Sequence, residues 1–127
     1  MAEANYAAPI KQSLLYLSRT CSVFKDEDSG FAPTPAQFTV AQHVAHVAQT
    51  IDWFVEGAFR PEGFDMDFAK QQAAVRGIGS LQTAMAALAG AVDKAAAVLG
   101  SKSDAEMLAP LADGPIMGGQ PRATIIA

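Results

Sequence analysis

Apolar residues recur at spacings of three and four over most of the chain, and no long stretch alternates apolar with polar residues. The first pattern is typical of one buried face of an α-helix, whereas alternation would indicate a β-strand. Three long segments carry the helical pattern: about Tyr6 to Phe24, Thr39 to the break at Pro61, and about Leu81 to Leu99. We therefore predict an all-α fold.

Short polar residues mark where two of these helices begin. Thr39 is followed three residues later by Gln42, which is the spacing of a capping box. Ser80 stands in the N-cap position before the third long segment, and Gly100 follows that segment, where a helix commonly ends. These signals predict the limits of the second and third long helices.

Shorter helical segments lie between and after the long ones. The connection FRPEGFDMDFAKQQAAVRGIG contains a helical piece, FDMDFAKQQAAV, and SDAEMLAPL predicts one or two further turns capped by Ser103 or Asp104. Because the connection is long enough for a crossover, the pattern leaves open whether consecutive helices run up and down.

The last residues predict the start of a fourth helix. Gln120 and Pro121 resemble an N-cap followed by proline at the first helical position, and Ile125 and Ile126 begin an apolar stripe before the sequence stops at Ala127. A fourth bundle helix buries several leucine-sized side chains, at about 1.5–3 kcal/mol each. We therefore expect three helices alone to leave an apolar groove, filled by a continuation of the chain or by a second copy in a homodimer.

Length and charge limit the classes of protein. A chain of 127 residues predicts one domain, spanning residues 1–127. The formal net charge is -4 and the nine Lys and Arg residues are scattered, so no basic stripe is available to follow a phosphate backbone. We predict no nucleic-acid partner.

The chain carries no pattern that predicts a membrane segment. The N-terminus, MAEANYAAPIKQ, lacks a basic region followed by an apolar run, and the stretch AMAALAGAVDKAAAVLG is interrupted by Asp93 and Lys94. Cys21 is the only cysteine, which fits a reducing compartment. We predict a cytoplasmic protein with no membrane partner, in which Cys21 is a small buried residue of the first helix.

The only two histidines, His43 and His46, lie three residues apart in FTVAQHVAHVAQTIDWF. At 100° per residue, His43 falls at the edge of the apolar face, whereas His46 shares a neighbouring stripe with Trp53. A catalytic zinc or related site needs about three protein ligands, and this pair supplies two at most. The residues alone leave open a metal role and a purely structural one.

Other metal-ligand candidates are Glu62, Asp65, Asp67 and Cys21, but no spacing brings them to the histidines. Asp65 and Asp67 are two residues apart, a spacing that does not face one side of a helix. We interpret both as solvated loop charges. Trp53 is expected in the core or on the wall of a pocket beside His46.

The order of these segments resembles the DinB/YfiT-like superfamily of four-helix bundles. The most specific element is VAHVAQTIDWF, which is similar to the family segment that carries the first histidine of a three-histidine metal site. The resemblance implies His46 as that ligand, with a nickel- or zinc-type ion, and places His43 outside the ligand set. It further implies an H-x-x-x-H pair on the fourth helix, which we expect beyond Ala127, so that this stretch by itself need bind no metal.

Two functions follow as hypotheses. The resemblance implies a metal-dependent enzyme, with a small thiol or a water as the attacking group, and thiol S-transferase or related hydrolase-like chemistry is the expectation within that class. The alternative is a helical interaction and dimerisation module in which the histidines are structural. Its motivating feature is the apolar stripe that begins at Ile125 and Ile126.

Overall fold

The computed structural model describes residues 5–126, and these residues confirm the predicted all-α class. No strand occurs in this range, where one isolated bridge joins Pro110 to Pro121. The α-helices are α1 Ala8–Cys21, α2 Val40–Phe59, α3 Phe68–Arg76, α4 Leu81–Gly100 and α5 Asp104–Leu108. Two short 3₁₀ helices span Asp26–Asp28 and Arg122–Ile126.

The predicted caps form as hydrogen bonds. The Thr39 hydroxyl accepts from the Gln42 backbone N–H at 3.1 Å, and the side-chain oxygen Oε1 of Gln42 accepts from the Thr39 backbone N–H at 3.0 Å. Ser80 caps α4 by accepting from the Thr83 N–H at 3.3 Å. Each bond satisfies an N–H that the first turn of a helix leaves without a backbone partner.

Several helix predictions differ from the structure. α1 is shorter than Tyr6–Phe24, because Asn5 accepts from the N–H groups of the opening turn and a separate turn follows Cys21. Gly100 is the last residue of α4 rather than a left-handed cap beyond it. The stripe at Ile125 and Ile126 lies in the short 3₁₀ helix, not in an α-helix, within the described residues.

The connectivity includes a crossover. Ser29 lies beside the first turns of both α2 and α4, since its carbonyl accepts from the Ala41 N–H at 3.1 Å and its hydroxyl accepts from the Leu81 N–H at 2.7 Å. Farther along, Lys94 of α4 lies 3.6 Å from Asp52 of α2. The two helices are therefore parallel and in register.

Helices α1 and α3 run antiparallel to α2 and α4. Tyr6, before α1, donates to Asp104, which follows α4, at 2.8 Å, so α1 is antiparallel to α4. Gln42 at the start of α2 donates to the carbonyl of Arg76 at the end of α3, at 3.1 Å. α3 thus returns the chain along α2 and is the crossover segment that the sequence allowed.

The core lies mainly between α2 and α4, which share the most extensive helix contact among the described elements. Small residues dominate the interface side of both helices, and the larger Leu88 and Val92 of α4 fill the space between them. α1 packs on α4 and hardly touches α2. The buried alanines of α2 and α4 are Ala41, Ala45, Ala48, Ala58, Ala84, Ala91, Ala95 and Ala96.

α4 is the one helix in residues 5–126 that is long and apolar enough to cross a membrane by length and composition. A core helix of a water-soluble protein passes the same test, so a single such helix is weak evidence for a membrane span. Eight residues of α4 are buried within the protein.

Two helical glycines predict opposite effects of the same substitution. A Cβ on Gly57 of α2 overlaps the ring of Phe64, whereas a Cβ on Gly90 of α4 meets nothing within 4 Å. We expect Gly57→Ala to lower the free energy of unfolding by about 1–3 kcal/mol, because the ring must move. Gly90→Ala should raise it by about 0.5–1 kcal/mol, because alanine favours the helix. Urea unfolding measures both, and equal effects of the same sign contradict this packing.

Candidate functional site

α2 directs its two histidines to different sides. His46 lines a cleft between α2 and α3, which we call the α2–α3 cleft, whereas His43 lines a groove between α1 and α2, which we call the α1–α2 groove. Both imidazoles are exposed. The stripe assignment made from the 100° periodicity is therefore correct, and the two histidines have separate surroundings.

The α2–α3 cleft consists of two adjoining cavities of about 160 and 280 Å³. His46, Gln49, Phe68 and Gln71 line both of them. Trp53 forms part of the wall of one cavity beside His46. This is the second of the two positions that the sequence allowed for Trp53, the core or a pocket wall. The remaining lining residues are Phe38, Thr50 and Gln72.

Two side-chain hydrogen bonds from α2 hold α3 and the chain before it, and a third joins α3 to that preceding chain. Gln49 donates to the Gln71 carbonyl at 2.7 Å, Gln71 donates to the Asp65 carbonyl at 3.0 Å, and the Trp53 indole N–H donates to the same carbonyl at 2.6 Å. Two of these donors project from α2 and are two helical turns or less from His46. The wall opposite His46 is thus positioned by α2 itself.

Aromatic rings line much of this cleft. The Trp53 and Phe68 ring centroids are 6.0 Å apart, and the Phe38 and His46 ring centroids are 5.5 Å apart. Phe38 also meets the ring of His43 at 5.7 Å, edge to face. The side chain of Phe38, just before α2, therefore separates the surroundings of the two histidines.

The α1–α2 groove is almost wholly apolar and has a volume of about 270 Å³. It exists because α1 packs on α4 and hardly touches α2. Cys21 is buried at its floor, as predicted, and burial raises the pKa of the thiol above its ordinary value of 9.0. The other lining residues are Leu17, Phe24, Val40, His43, Val44 and Val47.

The acidic side chains considered above as metal ligands make ion pairs or hydrogen bonds with other groups. Glu62 lies 3.6 Å from Arg60 in an exposed ion pair. The Asp67 carboxylate caps α3 by accepting from the Lys70 N–H at 3.1 Å, and the Asp65 carboxylate accepts from the Asp67 N–H at 2.9 Å. Asp67 is thus a helix cap rather than the simple solvated loop charge that the sequence suggested.

Within residues 5–126, no group of three His, Cys, Asp or Glu side chains is close enough to hold one metal ion. His46 has an exposed imidazole, but the described residues do not add two further ligands to it. A three-ligand metal site therefore does not fit this part of the chain by itself.

The sequence did not identify Gln49, Gln71, Phe38 or Phe68 as parts of the site. Gln49 could have been found, because it follows His46 by three residues and so lies on the same helix face. Phe68 and Gln71 could not have been found in this way, because they lie on α3 and the helical periodicity of a sequence does not predict which helices pack together.

A family model described as the DinB superfamily matches residues 11–125 of the chain. The comparison with curated proteins gives no match. The comparison with solved structures gives none either.

The buried thiol of Cys21 predicts a pH effect on stability. Its pKa is higher in the folded protein than in the unfolded chain, so its stabilising contribution is complete below the unfolded pKa, about 9, and is lost as the pH rises through the folded pKa. We expect the free energy of unfolding to fall more steeply above pH 9 in the wild type than in Cys21→Ala. Urea unfolding of both proteins between pH 7 and 10 measures this, and parallel pH curves contradict it.

Proposed function

The chain belongs to the DinB superfamily, and from this premise we propose that it is a divalent-metal-binding protein in which His46 is a ligand. The superfamily is metal-binding. The single observation that carries the assignment to His46 is its position on the wall of the α2–α3 cleft, whereas His43 lies in the α1–α2 groove.

The surroundings of His46 support a ligand role. Within the described residues, neither imidazole nitrogen of His46 makes a hydrogen bond to another side chain or to the backbone, while the His46 carbonyl accepts from Thr50 at 2.8 Å. α2 therefore fixes the backbone at this position and leaves the ring available. Imidazole suits zinc, nickel and several other divalent ions.

The further ligands come from outside residues 5–126 in this proposal, because no second and third donor lie near His46 within them. The family resemblance implies an H-x-x-x-H pair on a fourth helix as their source. Intact-mass measurement of the protein expressed from its native gene, with fragmentation of its C-terminus, identifies any such pair.

The proposed activity is thiol S-transfer or a related hydrolase-like reaction in the cytoplasm, with a small thiol or another small molecule as substrate. The α2–α3 cleft supports a small-molecule substrate, since it is concave and lined by aromatic rings together with amide groups. The test is turnover of a small thiol with an electrophile, compared between wild type and His46→Ala.

A second candidate function, a dimerising helical module, is favoured by the α1–α2 groove. Beside its apolar lining, the adjoining part of the chain exposes several large apolar side chains. We propose that a second copy of the chain covers this groove in a homodimer. The exposed apolar side chains of the adjoining chain are Leu15, Tyr16 and Val23, and the lining residues Phe24 and Val47 are exposed as well.

The metal proposal predicts different effects of the two histidines. His46→Ala should weaken Zn²⁺ or Ni²⁺ binding about 100-fold or more in the protein expressed from its native gene, because it removes a direct ligand. His43→Ala, three residues away on the same helix, should leave affinity and stoichiometry unchanged. Equilibrium dialysis with metal analysis measures both, and unchanged stoichiometry in His46→Ala refutes the ligand assignment.

The dimer proposal predicts different effects of two exposed phenylalanines. Phe24 lines the α1–α2 groove, whereas Phe31 is 63% exposed and does not line it. We expect Phe24→Ser to raise the dimer dissociation constant about tenfold or more, and Phe31→Ser to leave it unchanged. Sedimentation equilibrium measures the constants, and a wild-type monomer at all concentrations rejects the homodimer.

A further inference from the structure

The α2–α3 cleft has a chemical character that limits what it can bind. Its described lining contains three aromatic side chains, three glutamines, a threonine and His46, and no Asp, Glu, Lys or Arg. Without a metal ion on His46, a charged group placed among these side chains would lose water without gaining an opposite charge from the lining. The lining therefore favours an uncharged ligand.

The aromatic walls favour a flat ligand. Phe68, the first residue of α3, is 51% exposed although it lies beside Trp53 and His46 in the cleft. A ring stacked on Phe68 would remove that apolar surface from water and add an aromatic pair. One face of Phe38 is already covered by the Arg76 guanidinium, 5.0 Å from the ring centroid, so a ring stacks more readily in the cavity beside Phe68 and Trp53, which neither Phe38 nor Arg76 lines.

The amide groups favour a ligand with a hydrogen-bond donor. The side-chain amides of Gln49 and Gln71 each donate one hydrogen bond, to the Gln71 and Asp65 backbone carbonyls, so these two amides have a defined orientation. Their side-chain carbonyl oxygens accept no hydrogen bond from the described residues and can accept one from a ligand. A donor on the ligand would be recognised by these acceptors.

We propose that the α2–α3 cleft binds an uncharged, flat aromatic molecule that carries an N–H or O–H donor. Its ring stacks on Phe68 and Trp53, and its donor bonds the side-chain carbonyl oxygen of Gln49 or Gln71. The proposal rests on the proposed function in one respect, that the bound molecule lies beside the ligand His46. The cleft itself is built from residues 38–72 and needs no metal for binding.

Trp53 is the only tryptophan of the chain and lines the cleft, so a ligand bound there should change its fluorescence. The probe is acetanilide, which is flat, uncharged and has one N–H. We expect it to change the Trp53 emission saturably in metal-free protein. Benzoate and benzyltrimethylammonium, which are similar in size but charged, should bind at least about tenfold more weakly, and so should N-methylacetanilide, which lacks the donor.

Two variants test where the probe binds. Phe68→Ala should weaken acetanilide binding about tenfold, because it removes the exposed ring of the cleft. Phe31→Ala is the matched control, since Phe31 is also exposed but does not line the cleft, and it should bind as the wild type does. Saturation-transfer NMR on the probe provides a second measurement of binding that is independent of tryptophan emission.

The outcomes separate this proposal from the metal proposal. Absence of saturable acetanilide binding, equal binding of the charged probes, or unchanged binding in Phe68→Ala overturns the cleft proposal. Acetanilide binding that survives in His46→Ala, together with unchanged metal stoichiometry in that variant, upholds the cleft proposal and refutes only the ligand role of His46.

Discussion

The parallel packing of α2 on α4 is the constraint on which the rest of this protein depends. Both helices have 20 residues, and their first turns both lie beside Ser29, whose carbonyl accepts from Ala41 and whose hydroxyl accepts from Leu81. A helix of this length spans about 30 Å, so the chain that joins the end of α2 to the start of α4 must travel back over that distance. α3 is the ordered part of this return.

The return path produces the α2–α3 cleft. Because α3 runs antiparallel beside α2, successive bonds from Gln42, Gln49 and Trp53 of α2 reach carbonyl groups progressively nearer the start of the return segment. These bonds fix the spacing between the two helices at one edge, and the aromatic side chains keep the remainder open. His46 lies in the middle of this row, which is why a residue on an ordinary amphipathic helix faces a concave surface.

The α1–α2 groove arises because no helix fills the space between α1 and α2 in the described part of the chain. α1 is antiparallel to α4 and packs on it, but the described residues place little between α1 and α2. The apolar face of α2 is wider than α4 alone can cover, since Val40, Val44 and Val47 line the groove on its other side. The sequence predicted that three helices alone leave an apolar groove, but it did not place that groove between α1 and α2.

The sequence by itself determined the helices and the separation of the two histidines. Caps at Thr39, Ser80 and Ser103 are local hydrogen bonds between residues three apart, and the 100° turn per residue already placed His43 and His46 on different stripes. Only the tertiary structure decided that α2 and α4 are parallel and that α3 brings Phe68 and Gln71 to His46. These contacts join residues more than twenty positions apart, and their partners are chosen by packing, which no local periodicity encodes.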